Sequence, residues 1–244
     1  MTLGDAAMLV GGGLAAGIVN TLAGGGSLLT VPLLVLAGLP GILANGTNRI
    51  GVAVQTAASA WRFRQLGVSG IEGALPLLVP VAIGSAVGAA TIARIEDALF
   101  EKLFGLIMLV VLVPTLRPPR PRAQAAGWPR WAGHAVFFAI GLYGGSFQAG
   151  VGLLVVTALS HAGYDLIRAN SIKVVVNLAL TLFAIPPFLL AGQIAWLPAL
   201  ALAAGFWAGG ELGARIAVHG GDRLIRPVMA LAVVALAGRM LGLY

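Results

Sequence analysis

The sequence predicts an all-α, polytopic helical membrane protein built from two inverted five-segment repeats with glycine-rich broken or re-entrant helices. Three observations carry that prediction. Of 244 residues, 59% are hydrophobic and only 9% are charged, where a soluble domain carries about 25% charged residues. Uncharged runs recur along the chain on the scale of a bilayer crossing. The second half also repeats the first, weakly but in order. A soluble domain of this size must cover itself with polar side chains, and this one lacks them. The composition therefore excludes a soluble enzyme, a disordered chain and a nucleic-acid-binding domain. Ten spans of about 20 residues would use about 200 residues, which leaves no room for an extramembrane domain.

The elements follow from the charge map. Residues 6–48 carry no charge. They hold helices over 6–19 and 27–39, each only about 20 Å long. A re-entrant hairpin and two crossings both fit that length. A third helix over 47–66 ends on Arg62 and Arg64. Helices over 73–93 and 98–116 follow. Residues 117–130 hold four Arg and four Pro; proline blocks a helix there. In the second half the expected helices are 131–144, 151–163, 170–189, 194–216 and 223–242. The uncharged run 174–210 would make a helix of about 55 Å, so it must break, at Pro186-Pro187 and at Ala191-Gly192-Gln193. The first residues lack a basic n-region, so the first segment reads as a mature span.

The repeat divides the chain into a first transmembrane repeat, 1–116, a cytoplasmic linker, 117–130, and a second repeat, 131–244. A shift of 124 places Gly17 on Gly141, Gly26 on Gly150, Thr47 on Ser171 and Arg49 on Lys173. A shift of 125 places Gly84 on Gly209, Gly88 on Gly213 and Asp97 on Asp222. Five segments per half is an odd number, so the second copy is inverted in the membrane. With the linker in the cytoplasm, most Arg residues fall at inner ends and both termini lie outside. The net charge of +7 reads as topology, with no nucleic-acid partner. The chain has no Cys, and its three His are scattered, so no metal site and no cofactor are expected.

Three features bear on chemistry. Glycine-rich breaks follow the first helix of each half: Asn20-Thr21-Leu22-Ala23-Gly24-Gly25-Gly26-Ser27 and Gly144-Gly145-Ser146-Phe147-Gln148-Ala149-Gly150. A helix that restarts inside a membrane points free N–H groups and its positive dipole end at the gap, which suits an anion. Close helix packing is the other reading of such glycines. The second feature is the pair Arg49 and Lys173, each expected early in the third helix of its half. They read as two cations facing one anion, or as side chains that snorkel to the nearest interface. Asn48, Gln55 and Asn177 would line a wet cavity beside them. The third is Glu211, a proton-coupling candidate or an ion-pair partner of Arg215 one turn away.

The run Gly24-Gly25-Gly26-Ser27-Leu28-Leu29-Thr30-Val31-Pro32, followed by Ala44-Asn45-Gly46-Thr47, resembles the sulfite exporter TauE/SafE family. The resemblance spans about 17–110 and 141–240. It implies a bacterial inner-membrane carrier of sulfur-containing anions such as sulfite or organosulfonates. The second copy departs from the pattern: Gln148-Ala149-Gly150 replaces a fuller glycine triplet, and Val156 replaces the proline.

The expected function is secondary transport of a small sulfur-containing anion, in the export direction, by alternating access between the inverted repeats. The alternative is an anion channel or a carrier of another small anion or organic acid. No nucleotide-binding loop and no paired catalytic residues are present, so the chain is not expected to be an enzyme. Expected partners are the small anion and the lipid bilayer, with a homodimer as an admissible assembly. The expected substrate-binding residues are Asn20, Thr21, Gly25, Gly26, Ser27, Thr47, Asn48, Arg49, Ser146, Gln148, Gly150, Ser171, Lys173 and Asn177.

Overall fold

A computed structural model describes residues 2–116 and 129–219. These residues form nine helices and no strand. They are α1 (Leu3–Ala23), α2 (Ser27–Leu36), α3 (Gly41–Gln65), α4 (Ile71–Ile92), α5 (Asp97–Leu116), α6 (Arg130–Ser146), α7 (Val151–His161), α8 (Leu166–Leu190) and α9 (Trp196–His219). The expected helix 223–242 and the linker up to Trp128 lie outside the described residues. α1, α4 and α8 are each long and apolar enough to cross a membrane. α3 is as long as α8, at 25 residues, but buries Asn45, Asn48, Arg49, Gln55 and Ser59. α2 and α7 have 10 and 11 residues. At about 15–17 Å they are too short to cross a core of about 30 Å.

Local caps move several boundaries from their expected places. α1 continues to Ala23 because Gly24, at φ +78°, closes it in the left-handed conformation. Asn20 and Thr21 are therefore helical and lie before the break. α3 starts at Gly41, six residues early. Pro40 precedes it, and the Asp97 carboxylate accepts the Ile42 N–H at 2.8 Å. α8 starts at Leu166 because Asp165 caps the N–H groups of Ile167 and Arg168. Pro186-Pro187 do not break α8. Each removes one ladder bond, and the helix ends four residues later, where Gly192 takes φ +69°.

Glycine seams set the packing. α1 lies along α9, with Gly13 on Leu202–Phe206, Gly17 on Gly209 and Ile18 on Gly213. A Cβ at Gly17 would sit 3.0 Å from the Gly209 Cα. The register rises together on both helices, so they run parallel. α3 also runs parallel to α9: Thr47 meets Ala195, Gly51 meets Phe206 and Ser59 meets Gly210. α4 runs parallel to α6, with Gly84 on Phe138 and Gly88 on Leu142. It runs parallel to α8 too, from Gly73 on Ile172 to Ser85 on Leu180. α3 and α8 are antiparallel, because Arg49 meets Phe188 while Phe63 meets Val174. Since α1 and α3 point the same way, α2 must return from the end of α1 to the start of α3. α1–α2 is thus a helical hairpin, and α6–α7 is its counterpart ahead of α8.

Filling a seam should cost stability. Gly209→Val places methyl groups against the α1 backbone and should lower the melting temperature measured by size exclusion after heating, by about 1–3 kcal/mol of overpacking. Gly11, whose Cβ would meet nothing within 4 Å, should tolerate Ala with no loss and a gain of about 0.5–1 kcal/mol.

Candidate functional site

The two hairpin tips touch. Gly24 and Gly152 lie backbone to backbone, and a Cβ on either would come 2.5 Å from the other's Cα. Only glycine permits that approach. The opposite tip takes left-handed conformations at Gln148, φ 58°, and Gly150, φ 65°. A non-glycine residue pays about 1 kcal/mol for that conformation. Gln148 is held there by its own side chain, whose Nε2 donates to Thr181 Oγ1 at 2.7 Å.

Arg49 and Lys173 flank this contact, and both side chains are 0% exposed. Arg49 Nη1 donates to the Gly144 carbonyl at 2.7 Å and Nη2 to the Gly145 carbonyl at 2.7 Å. Longer bonds reach the Ser146 carbonyl at 3.3 Å and Asn45 Oδ1 at 3.4 Å. The Phe188 ring lies 5.1 Å from the guanidinium carbon, a cation–π contact. Arg49 Nε has no partner. Lys173 Nζ donates to the Asn20 carbonyl at 3.0 Å, the Thr21 carbonyl at 2.6 Å and Asn170 Oδ1 at 2.9 Å. The snorkelling alternative is overturned: both side chains end on internal carbonyls, and they sit a full two turns into their helices.

The two arrangements correspond. The shift of 124 that carries Arg49 to Lys173 also carries Asn20 and Thr21 to Gly144 and Gly145. Each cation therefore holds the last-turn carbonyls of the broken helix in the other half. The Asn20 carbonyl also accepts the Gly24 N–H at 2.9 Å, and all four carbonyls lie at helix C-termini, which carry the negative end of the helix dipole, about half an elementary charge. Among the described residues neither cation pairs with a carboxylate. Two positive charges against two helix ends leave an excess of about one positive charge in a buried site. Neither restarted helix, α2 or α7, has a side-chain cap on its N-terminus.

Polar side chains from α1, α2 and α3 pack beside the cations. Asn20 Nδ2 donates to Gln55 Oε1, and Gln55 Nε2 donates to Thr21 Oγ1 at 2.7 Å and Ser59 Oγ at 2.9 Å. Asn20 Oδ1 accepts from the Gly26 N–H at 3.4 Å. Thr30 Oγ1 donates to Asn48 Oδ1 at 2.6 Å, and Asn48 Nδ2 to Ser27 Oγ at 3.1 Å. Gly25 supplies its carbonyl to the first turn of α2. The Asn177 and Gln148 side-chain oxygens are buried without partners.

Other expected residues sit apart. Thr47 Oγ1 accepts from Ala195 N at the start of α9, Ser171 Oγ bonds back to the Arg168 carbonyl, and Ser146 Oγ ties α6 to the Gly88 carbonyl. Glu211 lies 3.9 Å from both Arg62 Nε and Arg215 Nη2, near the C-terminal ends of α3 and α9. The Arg62 partner was not expected. Thr30, Asn45, Ser59 and Thr181 were also missed. Three of these had a signal, because Asn45, Arg49, Ser59 and Arg62 recur at helical spacing on one side of α3, and Thr181 follows Asn177 by one turn.

Gln55→Leu removes the amide that serves Asn20, Thr21 and Ser59 together. Stranding buried polar partners costs about 1–3 kcal/mol each. The variant should melt several degrees lower with no anion present, and an unchanged melting curve would contradict this network.

The chain is similar to known proteins over nearly its whole length. The sequence profile described as sulfite exporter TauE/SafE matches residues 9–240. A probable membrane transporter protein of Haemophilus influenzae is 30% identical over 234 residues, covering 93% of this chain and 91% of that one. The probable membrane transporter protein YfcA of Escherichia coli K12 is 25% identical over 236 residues, covering 93% and 86%. A probable membrane transporter protein of Sinorhizobium, ORF9, is 23% identical over 233 residues, covering 93% and 88%. No solved structure matches the chain.

Proposed function

We propose a specific transport role for this chain, which belongs to the sulfite exporter TauE/SafE family and is a membrane transporter: it carries a small sulfur-containing anion, sulfite or an organosulfonate. The observation that carries the proposal is the pair of buried cations, Arg49 and Lys173, at the contact of two broken helices with no carboxylate among the described residues to neutralise them. A buried charge in a bilayer is expensive unless something compensates it. Helix carbonyls compensate part; a bound anion supplies the rest, with the uncapped starts of α2 and α7 as further donors. Asn20, Thr21, Gly25, Gly26, Ser27, Asn48, Gln148, Gly150 and Asn177 form the surroundings of the anion. Thr47, Ser146 and Ser171 shape the site from helix junctions.

The halves 1–116 and 131–244 act as inverted repeats about an axis through the Gly24–Gly152 contact, and alternating access follows from exchange between their two arrangements. Three observations support this reading. The hydrogen bonds of Arg49 and Lys173 exchange under one shift. The left-handed residues Gly24, Gly38 and Gly67 recur as Gln148, Gly163 and Gly192. α1 and α3 also run opposite to α6 and α8. Arg62, Arg64, Arg130, Arg168 and Arg215 gather at one end of the helix bundle, and Arg94 and Lys102 at the other. The first, arginine-rich end, with the linker, is the cytoplasmic face of a bacterial inner membrane, and both termini are outside. An anion leaving such a cell gains about 2.3 kcal/mol per charge per 100 mV, so export needs no nucleotide. Glu211, 3.9 Å from two guanidiniums, belongs to the charge cluster at the cytoplasmic end.

Sulfite or sulfoacetate should raise the melting temperature of the purified protein, since a ligand at about 100 times its Kd adds about 2.7 kcal/mol. Acetate and chloride should not. Arg49→Ala and Lys173→Ala should each remove that shift, and uptake of radiolabelled sulfite into proteoliposomes, while the variants still purify as monodisperse species. Retained affinity in both would contradict the assignment.

A further inference from the structure

We propose that the bodies moving against each other in transport are two interwoven helix groups, α1–α2–α3–α9 and α4–α6–α7–α8, and that a bound anion loosens their seam by taking Arg49 and Lys173 from the carbonyls they hold. This rests on the transport reading above, but it departs from motion of one sequence half against the other. Each group draws helices from both halves. α9 is zipped to α1 through Gly13, Gly17, Gly209 and Gly213, and α4 to α6 through Gly84 and Gly88. Backbone contacts of this kind leave no side chains to slide, so each group moves as one piece.

Side-chain hydrogen bonds divide the same way. Ser59 Oγ to the Gly210 carbonyl and Thr47 Oγ1 from Ala195 N stay inside the first group. Ser85 Oγ to the Leu180 carbonyl, Ser146 Oγ to the Gly88 carbonyl and Gln148 to Thr181 stay inside the second. Among the described residues, the side-chain bonds that cross come from Asn45, Arg49 and Lys173, and each crossing bond ends on a main-chain carbonyl at a helix break: Asn45 Nδ2 on Ser146 at 2.8 Å, Arg49 on Gly144, Gly145 and Ser146, Lys173 on Asn20 and Thr21. The seam is α3 against α8 plus the touching tips. A neutral carbonyl is a weaker acceptor for a cation than an ionised oxyanion, which adds the attraction of a full opposite charge. An anion entering between the tips thus competes directly with the latch. It weakens the polar side-chain bonds that cross the seam among the described residues and spares those within each group, which couples occupancy to separation.

The chain's lack of Cys permits a direct test. A Cβ at Gly73 would lie 2.9 Å from Ile172 Cγ1, the place a cysteine sulfur takes, and its nearest neighbours are all side-chain atoms, a spacing that suits a disulfide. The pair Gly73→Cys/Ile172→Cys ties α4 of the first half of the sequence to α8 of the second, but lies within one helix group. With disulfide closure counted by mass spectrometry, the oxidised protein should carry radiolabelled sulfoacetate into proteoliposomes at the rate of its reduced form. Loss of uptake on oxidation, restored by reductant, would overturn the proposal. Deuterium uptake at residues 20–26 and 144–150, compared between oxidised and reduced protein without any anion, gives a reading independent of substrate. Unchanged uptake supports the proposal, and uptake suppressed by the disulfide overturns it. If the unmodified protein fails to carry sulfoacetate, the sulfonate reading fails while this second comparison still decides the moving bodies. Should the pair be inactive even when reduced, the unmodified protein decides: sulfoacetate should raise uptake at the two tips and leave the α1–α9 and α4–α6 seams unchanged, and a change along those seams overturns the proposal.

Discussion

Two cations that cross over to bond the carbonyls of the opposite broken helix are the constraint on which the rest of this structure depends. A helix that stops inside a bilayer leaves carbonyls with no water to bond. A buried cation with no carboxylate has the complementary problem. Arg49 and Lys173 solve both at once: Arg49 meets Gly144 and Gly145, and Lys173 meets Asn20 and Thr21. The hairpin tips can then sit against each other at Gly24 and Gly152 without stranding polar backbone. Partial helix charges do not cancel full cationic ones, however. On the proposed function, the residual positive charge makes this junction an anion site, where a neutral plug of glycines would serve packing alone.

Two kinds of glycine support that junction. Gly24 and Gly150 are needed for their left-handed conformations, and Gly24 with Gly152 for the close approach of the tips. Gly17 and Gly209 are needed only because two helix backbones lie in contact. Of the two readings offered by the glycine-rich sequence, close packing holds at Gly17 and Gly209, while Gly24, Gly150 and Gly152 shape the helix breaks themselves. The polar side chains of α3 fill the remaining space, and Gln55 joins Asn20 and Thr21 of α1 and Ser59 of α3 into one hydrogen-bonded cluster.

Much of this was legible in the sequence. The helical membrane class follows from composition, and eight of the described helices were placed to within about four residues at each end, because uncharged runs and glycine punctuation report burial directly. The start of α3 was missed by six residues: the Asp97 carboxylate that caps Ile42 is distant in sequence. Pro186-Pro187 was overread as a break, since proline removes one bond while the remaining ladder and packing hold α8 together. The correspondence of Arg49 with Lys173 was visible as a repeat offset. Their acceptors were not, because main-chain carbonyls leave no mark on residue identity. Arg62 as a second partner of Glu211 was hidden for the related reason that it comes from another helix.

The central claim is that the buried positive charge between the tips recognises an anion. Equilibrium binding of radiolabelled sulfite to the purified protein in detergent tests it most directly. The account predicts saturable binding at a single site per chain, displaced by sulfoacetate and left intact by acetate. Folded, monodisperse protein that binds no sulfite and no sulfonate saturably would contradict it.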